Sequence, residues 1–294
     1  MEDVEMQQLT HDELSVRIDE RGAQLCSLVY REHEYLWQGD PSVWGGQSPL
    51  LFPFVGRFTD GKYTVRGKEY HLPIHGFASV SDFEVLEMTD GGISFLLQDS
   101  ESTLEVYPFR FRLQVTYTLH HNSLSVVYEV FNPSDEMMYF GIGGHPGFQV
   151  PMEAGLKFDD YYLDFHQRHQ PFRVGHTETC FLNGIDAPFP LENDHVLRLS
   201  HGIFDDDAIV LRDVADTVTL RSDKGSRSVT MHYPQQPYLG LWHVPGIEAP
   251  YICIEPWTSL PSRQDIVEEF TCKSDLVRLP GGETYRTGWT VSVK

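Results

Sequence analysis

Four polar residues sit where glycine and aromatic residues crowd around them. They are Arg57 in LFPFVGRFTDG (51–61), His75 in LPIHGFASVSDFEV (72–85), His145 in GIGGHPGF (141–148) and Glu255 in YICIEPWTS (251–259). Glu255 follows the apolar run 251–254, which reads as a buried strand. A carboxylate there is either paired, with an arginine for example, or functional, because a buried unpaired carboxylate is costly and shifts toward its protonated form. As a functional group it is a general base beside a ligand. Each histidine, taken alone, reads equally well as a hydrogen-bonded turn residue. An imidazole and a carboxylate together make a complementary pair for proton transfer near neutral pH. The two histidines and the glutamate also permit a metal site, but they are spread over the chain without short ligand spacing, so a metal is not signalled. No dinucleotide fingerprint, P-loop or G-x-S-x-G elbow is present.

The elements that must position these groups read almost throughout as strands. The stretch 15–30 is expected to be a hairpin turning at Glu20 to Gly22, and 61–73 a pair of short strands around Arg66 and Gly67. In 109–135, Phe111, Leu113, Val115, Tyr117 and Leu119 alternate with polar residues. Leu124, Val126, Tyr128 and Val130 do so again after a turn at His121 to Ser123. That pattern predicts an antiparallel pair with one buried face. Segments 208–234 and 283–294 repeat the style. Helical signal is confined to 263–270, RQDIVEEF, and 159–184 is the most irregular stretch, expected to carry loops at one end of the fold. The expectation is an all-β chain, a large antiparallel β-sandwich or barrel, with residues 1–294 as one domain.

Composition narrows the function classes. The formal net charge of −21 counts against a nucleic-acid backbone or an anionic membrane as partner. No apolar run approaches a membrane span, and the acidic opening MEDVEMQQLT lacks the features of a secretory leader. A cytoplasmic protein is expected, or a mature chain without its leader. The four cysteines, Cys26, Cys180, Cys253 and Cys272, are widely spaced and expected to be reduced.

Taken in order, the segments LFPFVGR (51–57), HGF (75–77), GGHPGF (143–148) and CIEPW (253–257) resemble those of the aldose 1-epimerase, or galactose mutarotase-like, family. The flanking stretches 132–148 and 239–259 follow the same pattern, and the resemblance runs from about residue 10 to the end. It implies the family's large antiparallel β-sandwich, or supersandwich. It also implies interconversion of the α and β anomers of an aldose without cofactor or metal. By that resemblance His145 is the general acid and Glu255 the general base, serving two proton transfers on opposite sides of the anomeric centre. Arg57 and His75 hold sugar hydroxyls. An aspartate in FDDDAIVL (204–211) does the same, with Asp207 preferred and Asp206 the alternative, and Trp44 lines the pocket. The chain has Gly56 before Arg57 and GGHPGF around His145, where many galactose-specific members have Asn and NHxYFNL. A small-molecule sugar is therefore the expected partner, without galactose being singled out. Two other readings stay open: a non-catalytic sugar-binding or sugar-sensing protein, and an epimerase of hexose 6-phosphates. For the latter, Arg110, Arg112 and Arg168 are the phosphate candidates, although Arg110 and Arg112 read equally as solvent-face charges. The chain is expected to be a monomer or a homodimer.

Overall fold

The computed structural model describes residues 6–294, so the first five residues of the acidic opening lie outside the described residues. Alternation dictates the largest element. In the strands Arg112–His120 and Ser123–Phe131 every second side chain is buried, and the register Val115↔Tyr128 and Tyr117↔Val126 puts the buried residues on one face. These strands lie in a nine-stranded antiparallel sheet. The last strand, Thr284–Val293, sits inside that sheet, paired on one side with Ser123–Phe131 and on the other with Ser228–His232.

An eight-stranded sheet faces it. Its order runs Ala187–Pro188, Phe172–Arg173, Ile209–Arg212, Tyr238–Trp242, Tyr251–Trp257, Gly143–Gly144, Leu50–Leu51, with Gly147–Gln149 also on Tyr251–Trp257. Tyr251–Trp257 is buried at every position, which explains its continuous rather than alternating apolar pattern. Leu113, Val115 and Val126 of one sheet share a core with Leu239, Leu241, Ile252 and Ile254 of the other, the arrangement of a β-sandwich. A four-stranded sheet (Met6–His11, Leu14–Asp19, Gln24–Tyr30, His33–Glu34) carries the expected N-terminal hairpin. The pair Lys62–Val65 and Lys68–His71 forms the second expected hairpin.

The helix expected over 263–270 does not form. Asp265 has φ +58°, and the backbone at Glu268 and Glu269 is engaged by Thr64, which donates its N–H to the Glu268 carbonyl at 2.8 Å. Arg263 grips the Glu268 carboxylate through two N–H donors at 3.0 and 2.8 Å and tethers the segment as a loop. Among the described residues the α-helix is instead Glu101–Val106, one short element whose N-cap, Ser100, accepts the Thr103 N–H at 3.2 Å.

Candidate active site

His145 and Glu255 are brought together by strand register. Gly143 pairs with Trp257 and Gly147 with Cys253, so the residue midway, His145, stands opposite Glu255. Between the two paired segments the strand is interrupted at His145 and Pro146. There the His145 N–H is donated to the Pro49 carbonyl and the Pro146 carbonyl accepts from the Ile254 N–H, both at 3.1 Å. Gly144 lets the two sheets close at this point. A Cβ there would stand 2.6 Å from Trp289 Nε1 and 3.0 Å from the Tyr128 hydroxyl, two groups of the facing sheet already joined by a 2.9 Å hydrogen bond.

His145 Nε2 lies 3.3 Å from Glu255 Oε2, and both residues are buried, at 8% and 1% exposure. The arginine-paired reading of Glu255 is thereby replaced: the group it faces is the histidine. The contact is not aligned as a hydrogen bond. His145 Nδ1, Glu255 Oε2 and the Trp257 indole nitrogen are buried without partners, an arrangement that is costly in a finished core. Burial holds the Glu255 carboxyl well above the usual carboxylate range, opposed by the nearby indole N–H of Trp257 even though it makes no hydrogen bond there. Burial, then neighbouring His75, holds the His145 imidazole well below its ordinary value. Both shifts favour the uncharged forms, imidazole and carboxylic acid. Moving one proton along their contact turns the pair into imidazolium and carboxylate with no change in proton count.

Aromatic rings fix the histidine. Trp44 stacks on it at 5.1 Å between centroids, and Trp242 meets it edge-on at 5.6 Å. An indole face favours the charged imidazole and so opposes burial. His75 stands edge-on at 5.7 Å. Its Nδ1 accepts the Gly56 N–H at 3.1 Å, which places the ring proton on Nε2 as a donor. Burial and the charge of Arg57 lower His75 to about 4. His75 itself lies at φ +63°, followed by Gly76 at φ +75°, where a Cβ would strike the Phe52 carbonyl at 2.3 Å.

These groups line one cavity of about 330 Å³, in the range of small-molecule sites. Trp44, Arg57, His75, His145, Asp207 and Glu255 all border it. Asp206 does not; it borders a separate surface hollow with Arg173 and Glu178. Arg110 and Arg112 are exposed and absent from the cavity wall, with Arg110 paired to Asp99, and Arg168 belongs to another hollow. Trp242, Trp257 and Pro261 also line the cavity, with Val174, His176, Cys180 and Leu182 from the irregular stretch 159–184; Trp257 lay inside the CIEPW segment without being assigned to the site, and the others carried no sequence signal. Fully buried Cys253 joins the pair: its sulfur and one atom each of His145 and Glu255 lie within 4.8 Å of one another. Burial raises its thiol well above the usual range, so a metal there would have to displace the thiol proton and the proton of the pair.

The family model described as aldose 1-epimerase matches residues 5–269. Protein LacX (plasmid) of Lactococcus lactis subsp. lactis is 34% identical over 263 residues, covering 86% of this chain and 87% of that protein. The crystal structure of a galactose mutarotase related enzyme from Lactobacillus acidophilus superposes with a TM-score of 0.94 at 35% identity, over 99% of this chain and 97% of that one. A galactose mutarotase-like protein from Lactobacillus casei ATCC 334 gives 0.93 at 31% identity, over 99% and 100%. On fold, sequence and motif order alike, the chain belongs to the aldose 1-epimerase, galactose mutarotase-like family.

Proposed function

We propose that this chain interconverts the α and β anomers of a free aldose by acid–base opening and reclosure of the ring. The observation that carries the proposal is the buried His145–Glu255 contact with its unpartnered atoms at a sugar-sized cavity. The family resemblance implies proton transfers on opposite sides of the anomeric centre, and here the two groups stand 3.3 Å apart. That geometry suits a hemiacetal, whose hydroxyl and ring oxygens are both bonded to C1 and can both be reached by two groups in contact.

In the charged tautomer the Glu255 carboxylate takes the proton of the C1 hydroxyl while the His145 imidazolium gives one to the ring oxygen. The bond between C1 and the ring oxygen breaks, leaving an open-chain aldehyde and a C5 hydroxyl. Rotation about C1–C2 turns the carbonyl over. His145 then takes back the proton of the C5 hydroxyl while Glu255 gives its proton to the carbonyl oxygen, closing the other anomer. The His75 Nε2–H, Arg57 and Asp207 hold hydroxyls and contribute through orientation. The cavity wall offers no cationic cluster built from Arg110, Arg112 or Arg168, which supports a free sugar over a sugar phosphate.

The test is NMR exchange between anomer signals across free aldoses and their 6-phosphates at catalytic protein concentration. Exchange on at least one free aldose, exceeding that on its 6-phosphate, is expected. Saturable binding without exchange on any sugar would make the chain a sensor instead.

A further inference from the structure

We propose that His11, Asp12 and His121 form a binding site for a divalent transition-metal ion of the Zn²⁺ type, apart from the sugar cavity. His11 ends the strand Met6–His11, and Asp12, at φ +54°, begins the turn into Leu14–Asp19. His121, at φ +50°, lies in the turn between Arg112–His120 and Ser123–Phe131. The two turns come from different sheets.

One carboxylate oxygen stands between two imidazoles: Asp12 Oδ2 is 3.6 Å from His11 Nε2 and 3.4 Å from His121 Nδ1. All three ligand atoms lie within 4.8 Å of one another. At a tetrahedral zinc with bonds of about 2.0–2.2 Å, neighbouring ligand atoms stand roughly 3.3–3.6 Å apart. Two edges of the site, at 3.6 and 3.4 Å, match that spacing, and the third is no longer than 4.8 Å. The two rings and the carboxylate converge from two separate turns, so all three ligand atoms are presented to one point.

Two nitrogens and one oxygen favour Zn²⁺ and its neighbours over Mg²⁺ or Ca²⁺, which take oxygen sets. Exposure leaves the fourth position to water. The net charge of −21 raises the local concentration of cations, and His11 also borders a hollow lined by Glu87, Asp90 and His120. A bound ion would clip the N-terminal sheet to the nine-stranded sheet and stabilise the fold by mass action.

The test is calorimetric titration of metal-free protein with ZnCl₂, with Co²⁺ absorption to report coordination and thermal unfolding in parallel. One Zn²⁺ per chain is expected, with a higher Tm and no comparable binding of Ca²⁺. His121→Ala and the shape-preserving Asp12→Asn should each weaken binding at least tenfold, while sugar exchange stays at the wild-type rate. No binding at millimolar Zn²⁺, or binding unchanged in both variants, would overturn the proposal. Unchanged binding that also stops sugar exchange would assign the ion to His145, Cys253 and Glu255.

Discussion

The cavity is bordered by two sets of residues that are held differently, a strand wall and a turn wall. On one wall, His145 and Glu255 come from adjacent antiparallel segments whose register sets them opposite each other, backed by the close approach of the two sheets at Gly144. On the other wall, His75, Cys180 and Asp207 sit in turns at φ +63°, +62° and +70°, and Arg57 is exposed. Ladder hydrogen bonds and packing fix the first wall, and backbone turns shape the second. Under the proposed mechanism, proton transfer needs a fixed separation between acid and base, which paired strands would supply. Hydroxyl recognition tolerates turns, and turns are where sugar preference can change without disturbing the chemistry.

The largest effect should come from the strand wall. His145→Gln is expected to slow anomer exchange by about 10²–10⁴-fold with sugar affinity nearly unchanged, since general acid catalysis is worth that much. Measuring exchange rates beside equilibrium binding separates the two quantities. If His145→Gln instead abolished binding and left the rate of the bound sugar intact, the division between walls would collapse.

The turn wall should behave in the opposite way. Asp207→Ala is expected to raise KM and lower kcat/KM roughly ten- to hundredfold, the value of a hydrogen bond to a charged group. Asp206→Ala, outside the cavity, should leave both unchanged. Equal effects of the two would contradict the assignment of Asp207.

The backing of the strand wall can be tested through stability. Gly144→Ala puts a methyl against Trp289 and Tyr128 and should cost about 1–3 kcal/mol, as overpacking does. Urea unfolding would show a lower midpoint at unchanged slope.

The smallest effect is a pH dependence. With His75 at about 4 in the folded chain and 6.5 as its ordinary value, the unfolded chain binds a proton in that window that the folded chain does not. Stability contributed by neutral His75 is therefore complete above pH 6.5 and declines as pH falls toward 4. Glu255 acts with the opposite sign, because above about pH 4.5 the folded chain keeps a proton that the unfolded chain has lost. Comparing Tm of wild type and His75→Gln from pH 7.5 to 4.5 isolates the histidine. The variant should lose less stability on acidification.

What could be read from the sequence follows the same division. Alternation in 112–131 disclosed the hairpin because one face is buried and the other is wet. Glu255 stood out because a carboxylate at the end of an apolar run is physically expensive. By contrast, His176 and Cys180 reach the cavity from a stretch whose short strands carry no periodicity. RQDIVEEF looked helical because local composition does not reveal that a distant strand, Lys62–Val65, takes its backbone groups. The separation of Asp206 from Asp207 turns on one left-handed backbone angle, which an aspartate-rich turn does not display in its sequence.

Under the proposed mechanism His145 and Glu255 work as one unit through a shared proton. The direct test measures anomer exchange in His145→Gln, in Glu255→Gln and in the double variant on the best aldose. A shared proton predicts strong non-additivity, with the double variant about as slow as the slower single variant. Losses that multiply across the two substitutions would show two groups acting independently and would contradict the account.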